Sequence, residues 1–228
     1  MVLVQKELKN AYIGEYEYDY EPNANTLLYL PFTEDTQNKA SSWITTTNSW
    51  VTITTFGWVD CASFNWSSTY LSTSSFSIWD NTTIIWVYNN RPESDTDAQY
   101  LFKQNNTFYC WFIGYLLSTN KNWTRYWVRT SDWYAAMGCA GWINKWIMYA
   151  WVKDGTKYTV YAFDWTTENK NETTNATDTG TWITYIWKPT WSSYYFNWYM
   201  SRFIVENKAW SEQEILEYGN STKSKYWL

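Results

Sequence analysis

Where this chain should turn, it carries tryptophan. Four segments set Asn or Asp directly before Trp at the edge of an apolar, β-prone run: Phe64-Asn65-Trp66-Ser67-Ser68, Ser131-Asp132-Trp133-Tyr134, Phe163-Asp164-Trp165-Thr166 and Phe196-Asn197-Trp198-Tyr199. A β-hairpin normally turns at such points through Asn-Gly or Asp-Gly, because the turn needs φ > 0. Glycine adopts that conformation freely and a bulky side chain only under strain. With 20 Trp against 8 Gly in 228 residues, glycine is scarce where an all-β chain uses it.

Two readings of these tryptophans stand. In the first, the printed Trp comes from UGA codons that the source organism reads as glycine, as some bacteria and their phages do. Glycine then rises to roughly twenty residues, close to the usual fraction of a domain. In the second, the indoles are real and form platforms on which sugars stack. The first reading expects Trp66, Trp133, Trp165, Trp187, Trp191 and Trp198 in turns or at strand ends, more exposed than a buried Trp86 and Trp146.

Charge and composition exclude several function classes. Charged residues make up 17%, the formal net charge is -5 and the pI is near 4.8, so a nucleic-acid partner is not expected. Histidine is absent, which removes the commonest general base and the commonest nitrogen ligand for a metal. Cys61, Cys110 and Cys139 are far apart and form no Cys-x-x-Cys pair; they read as small buried thiols. No apolar run approaches the ~18 residues of a spanning helix, so no membrane partner is expected. The start, Met1 to Asn10, lacks a basic stretch followed by an apolar core, so no secretory signal is seen.

Residues 1–23 read as an acidic, Tyr-rich leader ending at Pro22, residues 24–220 as one β-sandwich, and 221–228 as a tail. Short runs rich in Thr, Tyr, Ile and Val recur through 24–220 between Asn, Asp and Ser clusters, which predicts an antiparallel sandwich. Strand alternation puts Phe108, Cys110 and Phe112 on one face and Tyr109, Trp111 and Ile113 on the other. In Thr124 to Thr130 it turns Tyr126 and Val128 inward and Arg125 and Arg129 outward, where the arginines could meet a ligand. One helix is signalled by the capping box Ser211-Glu-Gln-Glu214, with Trp210 and Ile215 as its hydrophobic staple and Gly219 as its left-handed end. Trp210 is therefore expected to be a genuine indole. The run Thr166 to Gly180 reads as an exposed long loop.

The stretch Tyr195 to Val205, followed by Asn207 to Ile215, resembles the C-terminal signature of laminin-G-like, concanavalin A-like domains: a Phe-Asn-Gly turn, a long strand and a short capped helix. Trp198 stands where that signature has glycine. Leu27 to Phe32 resembles the first strand of such domains, and Trp58 to Ser68 resembles a Gly-Val-x-x-x-Ala-x-Phe-Asn-Gly-Ser-Ser segment. Thr82 to Tyr88 and Lys145 to Gly155 are similar to the strands that follow, with Trp86 and Trp146 at tryptophan positions. What the resemblance implies is an all-β, antiparallel jelly-roll β-sandwich with one short C-terminal helix.

Glycoside hydrolases of the same superfold carry Glu-x-Asp-x-Glu on a central strand. Here Glu17-Tyr-Asp-Tyr-Glu21 has the spacing, but it lies in the leader, ahead of the first sandwich strand, so no catalysis is expected. Calcium, which many such domains bind through loop oxygens, stays unassigned: Asp60, Asp132, Asp154 and Asp164 stand near turns, and turn formation accounts for them. Seven Asn-x-Ser/Thr triplets follow from a composition rich in Asn and Thr rather than from a glycosylation pattern. The expected function is a non-enzymatic recognition or structural module of a phage virion or bacterial surface assembly. It would meet a glycan or protein partner through Tyr109, Arg125, Arg129 and Tyr134, either as a single module or within a homo-oligomer or larger assembly.

Overall fold

The structure is a computed structural model that describes residues 20–65, 68–78, 80–89, 99–100, 102–104, 111–116, 123–129, 134–140, 145–164, 168–173, 181–186 and 199–226. In chain order the strands begin with β1 (Thr26–Leu30), β2 (Thr46–Ser49), β3 (Thr52–Phe56), β4 (Val59–Ser63), β5 (Tyr70–Ile78) and β6 (Asn81–Asn89). Then come β7 (Gln99–Tyr100), β8 (Phe102–Gln104), β9 (Trp111–Leu116), β10 (Trp123–Arg129) and β11 (Tyr134–Ala140). The last are β12 (Trp146–Asp154), β13 (Lys157–Phe163), β14 (Glu168–Thr173), β15 (Thr181–Ile186) and β16 (Tyr199–Glu206), before helices α1 (Glu212–Ser221) and α2 (Lys223–Tyr226). No helix among the described residues is long and apolar enough to cross a membrane.

Among the described residues the strands form three antiparallel sheets. The largest runs β14-β13-β12-β6-β16-β4-β3, with β1 also paired to β16; the others run β11-β10-β9-β7 and β2-β5-β15-β8. The expected all-β sandwich with a short C-terminal helix is what the chain forms.

Burial of the large sheet on both faces explains the near-continuous apolar sequence of its central strands. Alternate residues of a strand point to opposite faces. Ile84, Trp86 and Tyr88 of β6 join Tyr149 and Trp151 of β12 in one cluster, which continues into Leu71 and Phe76 of β5 in the facing sheet. Ile85, Val87, Met148, Ala150 and Ile204 point the other way and pack under Ile215, Tyr218 and Tyr226 of the helices. Trp86 lies directly across from Tyr149 in the register and stacks on it at 5.6 Å between centroids. Trp146 is 6% exposed and meets Tyr226 of α2 at 5.6 Å. Both tryptophans are thus the core residues expected.

The helix start follows its sequence signal. Ser211 accepts from the Glu214 amide at 3.2 Å, and Glu214 Oε2 accepts from the Ser211 amide at 2.9 Å, so both halves of the capping box are made. Its end departs from expectation. Gly219 lies inside α1 and the cap is Thr222, at φ -98. The reason is close packing rather than a left-handed stop: a Cβ on Gly219 would fall 2.7 Å from the Phe163 ring, so glycine lets the helix lie down on β13.

The run from Thr166 to Gly180 also departs from expectation, because residues 168–173 form β14 and pair with β13 from Phe163↔Glu168 to Tyr158↔Thr173. An edge strand is held by main-chain hydrogen bonds on one side and needs no apolar face, so its polar sequence hides it. Its charges are used: Lys170 Nζ bridges Glu172 at 2.9 Å and Glu212 of α1 at 2.6 Å, and Lys157 bridges Glu172 at 2.9 Å.

Candidate functional site

The sheet β11-β10-β9-β7 holds three of the four residues expected to meet a ligand, Arg125, Arg129 and Tyr134. Arg129 pairs with Tyr134 across the β10–β11 hairpin and with Trp111 on the other side. Arg125 pairs with Gly138 and with Tyr115. Positions 125 and 129 are four apart on one strand, so both occupy the same face of the pleat, together with 111 and 115 on β9 and 134 and 138 on β11. The same face also takes the positions of Ile113 and Trp127, while Phe112, Leu116, Tyr126, Val128, Met137 and Cys139 occupy positions on the opposite face. The register therefore places positions 125, 129 and 134 on one face of the sheet; Tyr109 lies outside the described residues.

Tyr115 was not singled out by sequence alone. Alternation along β9 carries its position to the face of Trp111, but only the strand register sets it beside Arg125. Strand β11 has no β-branched residue in its run Tyr-Ala-Ala-Met-Gly-Cys-Ala and takes its conformation from pairing with β10.

A second polar cluster is structural. The Glu206 carboxylate, 1% exposed, accepts from the Tyr20 hydroxyl, Asn23 Nδ2 at 2.8 Å, Thr26 Oγ1 at 3.3 Å and the Trp210 indole N–H. Burial, with Glu206 beside it, pushes the Tyr20 hydroxyl far above the usual phenol range, so Tyr20 stays protonated and donates. A carboxylate with four donors around it is a clamp between the chain before β1, the end of β16 and the start of α1. It also gives Trp210 a role that needs an indole.

The other candidate chemical residues are placed as follows. Within Glu17-Tyr-Asp-Tyr-Glu21, Glu17 and Asp19 lie outside the described residues, while Glu21 is exposed. Asp60 accepts from the Thr55 hydroxyl at 3.0 Å, Asp154 faces Lys157 across the β12–β13 turn, and Asp164 follows β13; Asp132 lies outside the described residues. Among the described residues no group of three or more His, Cys, Asp or Glu is placed to hold a metal. Cys61 is buried with a free thiol, and burial pushes its pKa up to about 12, which leaves it unreactive at neutral pH. Cys110 lies outside the described residues.

No protein-family model and no curated protein matches the sequence. The fold does have solved counterparts. The binding domain of botulinum neurotoxin DC in complex with SialylT superposes with a TM-score of 0.62 at 9% identity, over 87% of this chain and 52% of that one. The botulinum neurotoxin type C structure concerned with two ganglioside molecules gives 0.58 at 10%, over 87% of this chain and 51% of that one. Domain 4 of AbnA, a GH43 extracellular arabinanase from Geobacillus stearothermophilus, in complex with arabinotriose, gives 0.57 at 11%, over 85% of this chain and 98% of that domain. The chain spans about half the length of the neurotoxin binding domains it matches. At these identities the likeness establishes a β-sandwich fold.

Proposed function

We propose that this chain is a non-enzymatic recognition module of laminin-G-like, concanavalin A-like type that binds a glycan on the β9–β11 face, as part of a phage virion or bacterial surface assembly. The observation that carries the reading is the register that sets Arg125 and Arg129 among Tyr115 and Tyr134. Tyrosine offers an apolar ring for the C–H face of a sugar and a hydroxyl for its edge. Arginine offers a planar fork of donors for ring hydroxyls or a sugar carboxylate. Binding of this kind makes and breaks no bond. Structures described with gangliosides, SialylT and arabinotriose share the fold, which favours a carbohydrate; one described with rat synaptotagmin II gives a protein partner as the second reading.

A glycan array that includes sialylated and arabinan oligosaccharides tests this. The expected result is retention of a defined glycan class, weakened at least about tenfold by Arg129→Ala or Tyr134→Ala, the loss anticipated for one charge-assisted hydrogen bond or one ring contact. Retention by neither class, or binding indifferent to both substitutions, overturns the reading. Self-association in size-exclusion chromatography with an empty array would point to a structural subunit instead.

A further inference from the structure

Among the described residues, five adopt φ in the left-handed region: Gly57, Gly155, Phe32, Trp50 and Trp58. The two glycines need no explanation. Phe32 has φ +52 but is fully buried in the main core cluster, so burial of its ring offsets the strain. Trp50 and Trp58 have no such offset. They hold φ +63 and +69 and are 82% and 88% exposed, so each combines the backbone that disfavours a side chain with a surface that does not use one.

The local turns identify the residue the backbone wants. At the β3–β4 hairpin, Phe56 pairs with Val59, leaving Gly57 and Trp58 as a two-residue loop in which both φ values are positive, +56 and +69. That is the pattern of a type I′ turn, which selects Gly or Asn at both centres. At the next turn back, Asn48 brackets the chain: its Oδ1 accepts from the Val51 amide at 2.8 Å and its Nδ2 donates to the Val51 carbonyl at 2.8 Å. Trp50 is the third residue of that four-residue turn, where a positive φ calls for glycine. The comparable β12–β13 hairpin, closed by the Asp154↔Lys157 pair, does carry glycine at its positive-φ position, Gly155.

A joint sugar platform does not account for the pair. Trp50 and Trp58 flank opposite ends of β3, roughly 20 Å apart at the rise of an extended strand, too far to stack on one ring. We propose that positions 50 and 58 are glycine in the natively made protein, encoded by UGA that the source organism reads as glycine and that the printed sequence renders as Trp. Trp86, Trp146 and Trp151 are core residues and Trp210 serves the Glu206 clamp; these are UGG tryptophans. The inference is independent of the glycan reading, which rests on Tyr and Arg.

The experiment has two arms. In the gene and the natively produced protein, codons 50 and 58 are expected to be UGA and the covering peptides lighter by one indolylmethyl group per site, with UGG and intact Trp at 86, 146, 151 and 210. UGG at 50 and 58, or native peptides of Trp mass there, overturns the proposal. In protein made in a standard host as printed, Trp50→Gly and Trp58→Gly are each expected to raise Tm by about 2 °C, since relief of strain exceeds the flexibility that glycine adds to the unfolded chain. A fall in Tm for both also overturns it.

Discussion

Trp86 and Trp58 are the same residue in opposite situations. Trp86 sits at the centre of β6, fully buried and stacked on Tyr149; Trp58 sits at the tip of the β3–β4 hairpin, 88% exposed at φ +69. In one place the fold is built around the indole. In the other the backbone is built around its absence. The difference teaches that a residue count is not evidence of a chemistry: a chain with 20 Trp invites a sugar-stacking argument, yet position by position some indoles are core and others, at Trp50 and Trp58, stand at positive φ where a bulky side chain is strained.

The strongest way to break that comparison is to make the same substitution at both places. Trp86→Gly should destabilise by at least the ~3–5 kcal/mol typical of emptying a large aromatic site, enough to leave little folded protein in a chain of ordinary stability. Trp58→Gly should act with the opposite sign. It removes ~1–2 kcal/mol of left-handed strain and returns ~0.5–1 kcal/mol of glycine flexibility. Denaturant midpoints read both. Equal losses at the two sites would mean that Trp58 has packing the turn geometry does not suggest.

Trp210 sharpens the comparison, because it is partly exposed yet structural. Its indole N–H donates to buried Glu206, beside Tyr20 and Thr26. Glu206→Ala leaves those buried donors without their acceptor and should cost about 1–3 kcal/mol. Trp210→Phe removes a single donor and keeps most of the ring packing, so about 1 kcal/mol is expected. A Trp210→Phe variant as stable as the parent would remove Trp210 from the set of required indoles.

Much of the sandwich was legible because its strands carry β-branched and aromatic residues between polar turns, and the two-sided burial of β6 and β12 follows from their unbroken apolar runs. What was hidden is held by pairing rather than by side-chain pattern: β11, made of small residues, and β14, made of polar ones. Gly219 misled for a related reason. A glycine near a helix end is ordinarily a stop, and only the Phe163 ring against its Cα shows that it marks a close approach. For the candidate site, the sharing of one face by positions 125 and 129 came from alternation, but their pairing with positions 134 and 115 is a property of register that no single segment encodes. The six turn tryptophans first suspected, Trp66, Trp133, Trp165, Trp187, Trp191 and Trp198, lie outside the described residues; Trp50 and Trp58 now carry that argument.

The smallest effect expected is at the helix cap, which anchors Trp210 at the residue before Ser211. Burial tends to raise the Glu214 carboxyl, but hydrogen bonds from Lys208 and from the Ser211 amide and hydroxyl outweigh it and hold the pKa below the usual glutamate value. A carboxylate whose pKa is depressed on folding stabilises the fold above its unfolded pKa, and that contribution disappears as pH falls through the folded value. Stability should therefore decline from about pH 4.5 downward, and part of the decline should vanish in Glu214→Gln. Ser211→Ala, which removes the other half of the box, should cost about 1 kcal/mol at neutral pH. If Trp210 is held by the cap as well as by Glu206, Ser211→Ala will also red-shift the Trp210 emission, read by difference against Trp210→Phe. An emission unchanged by loss of the cap would mean that the Glu206 clamp alone fixes the indole.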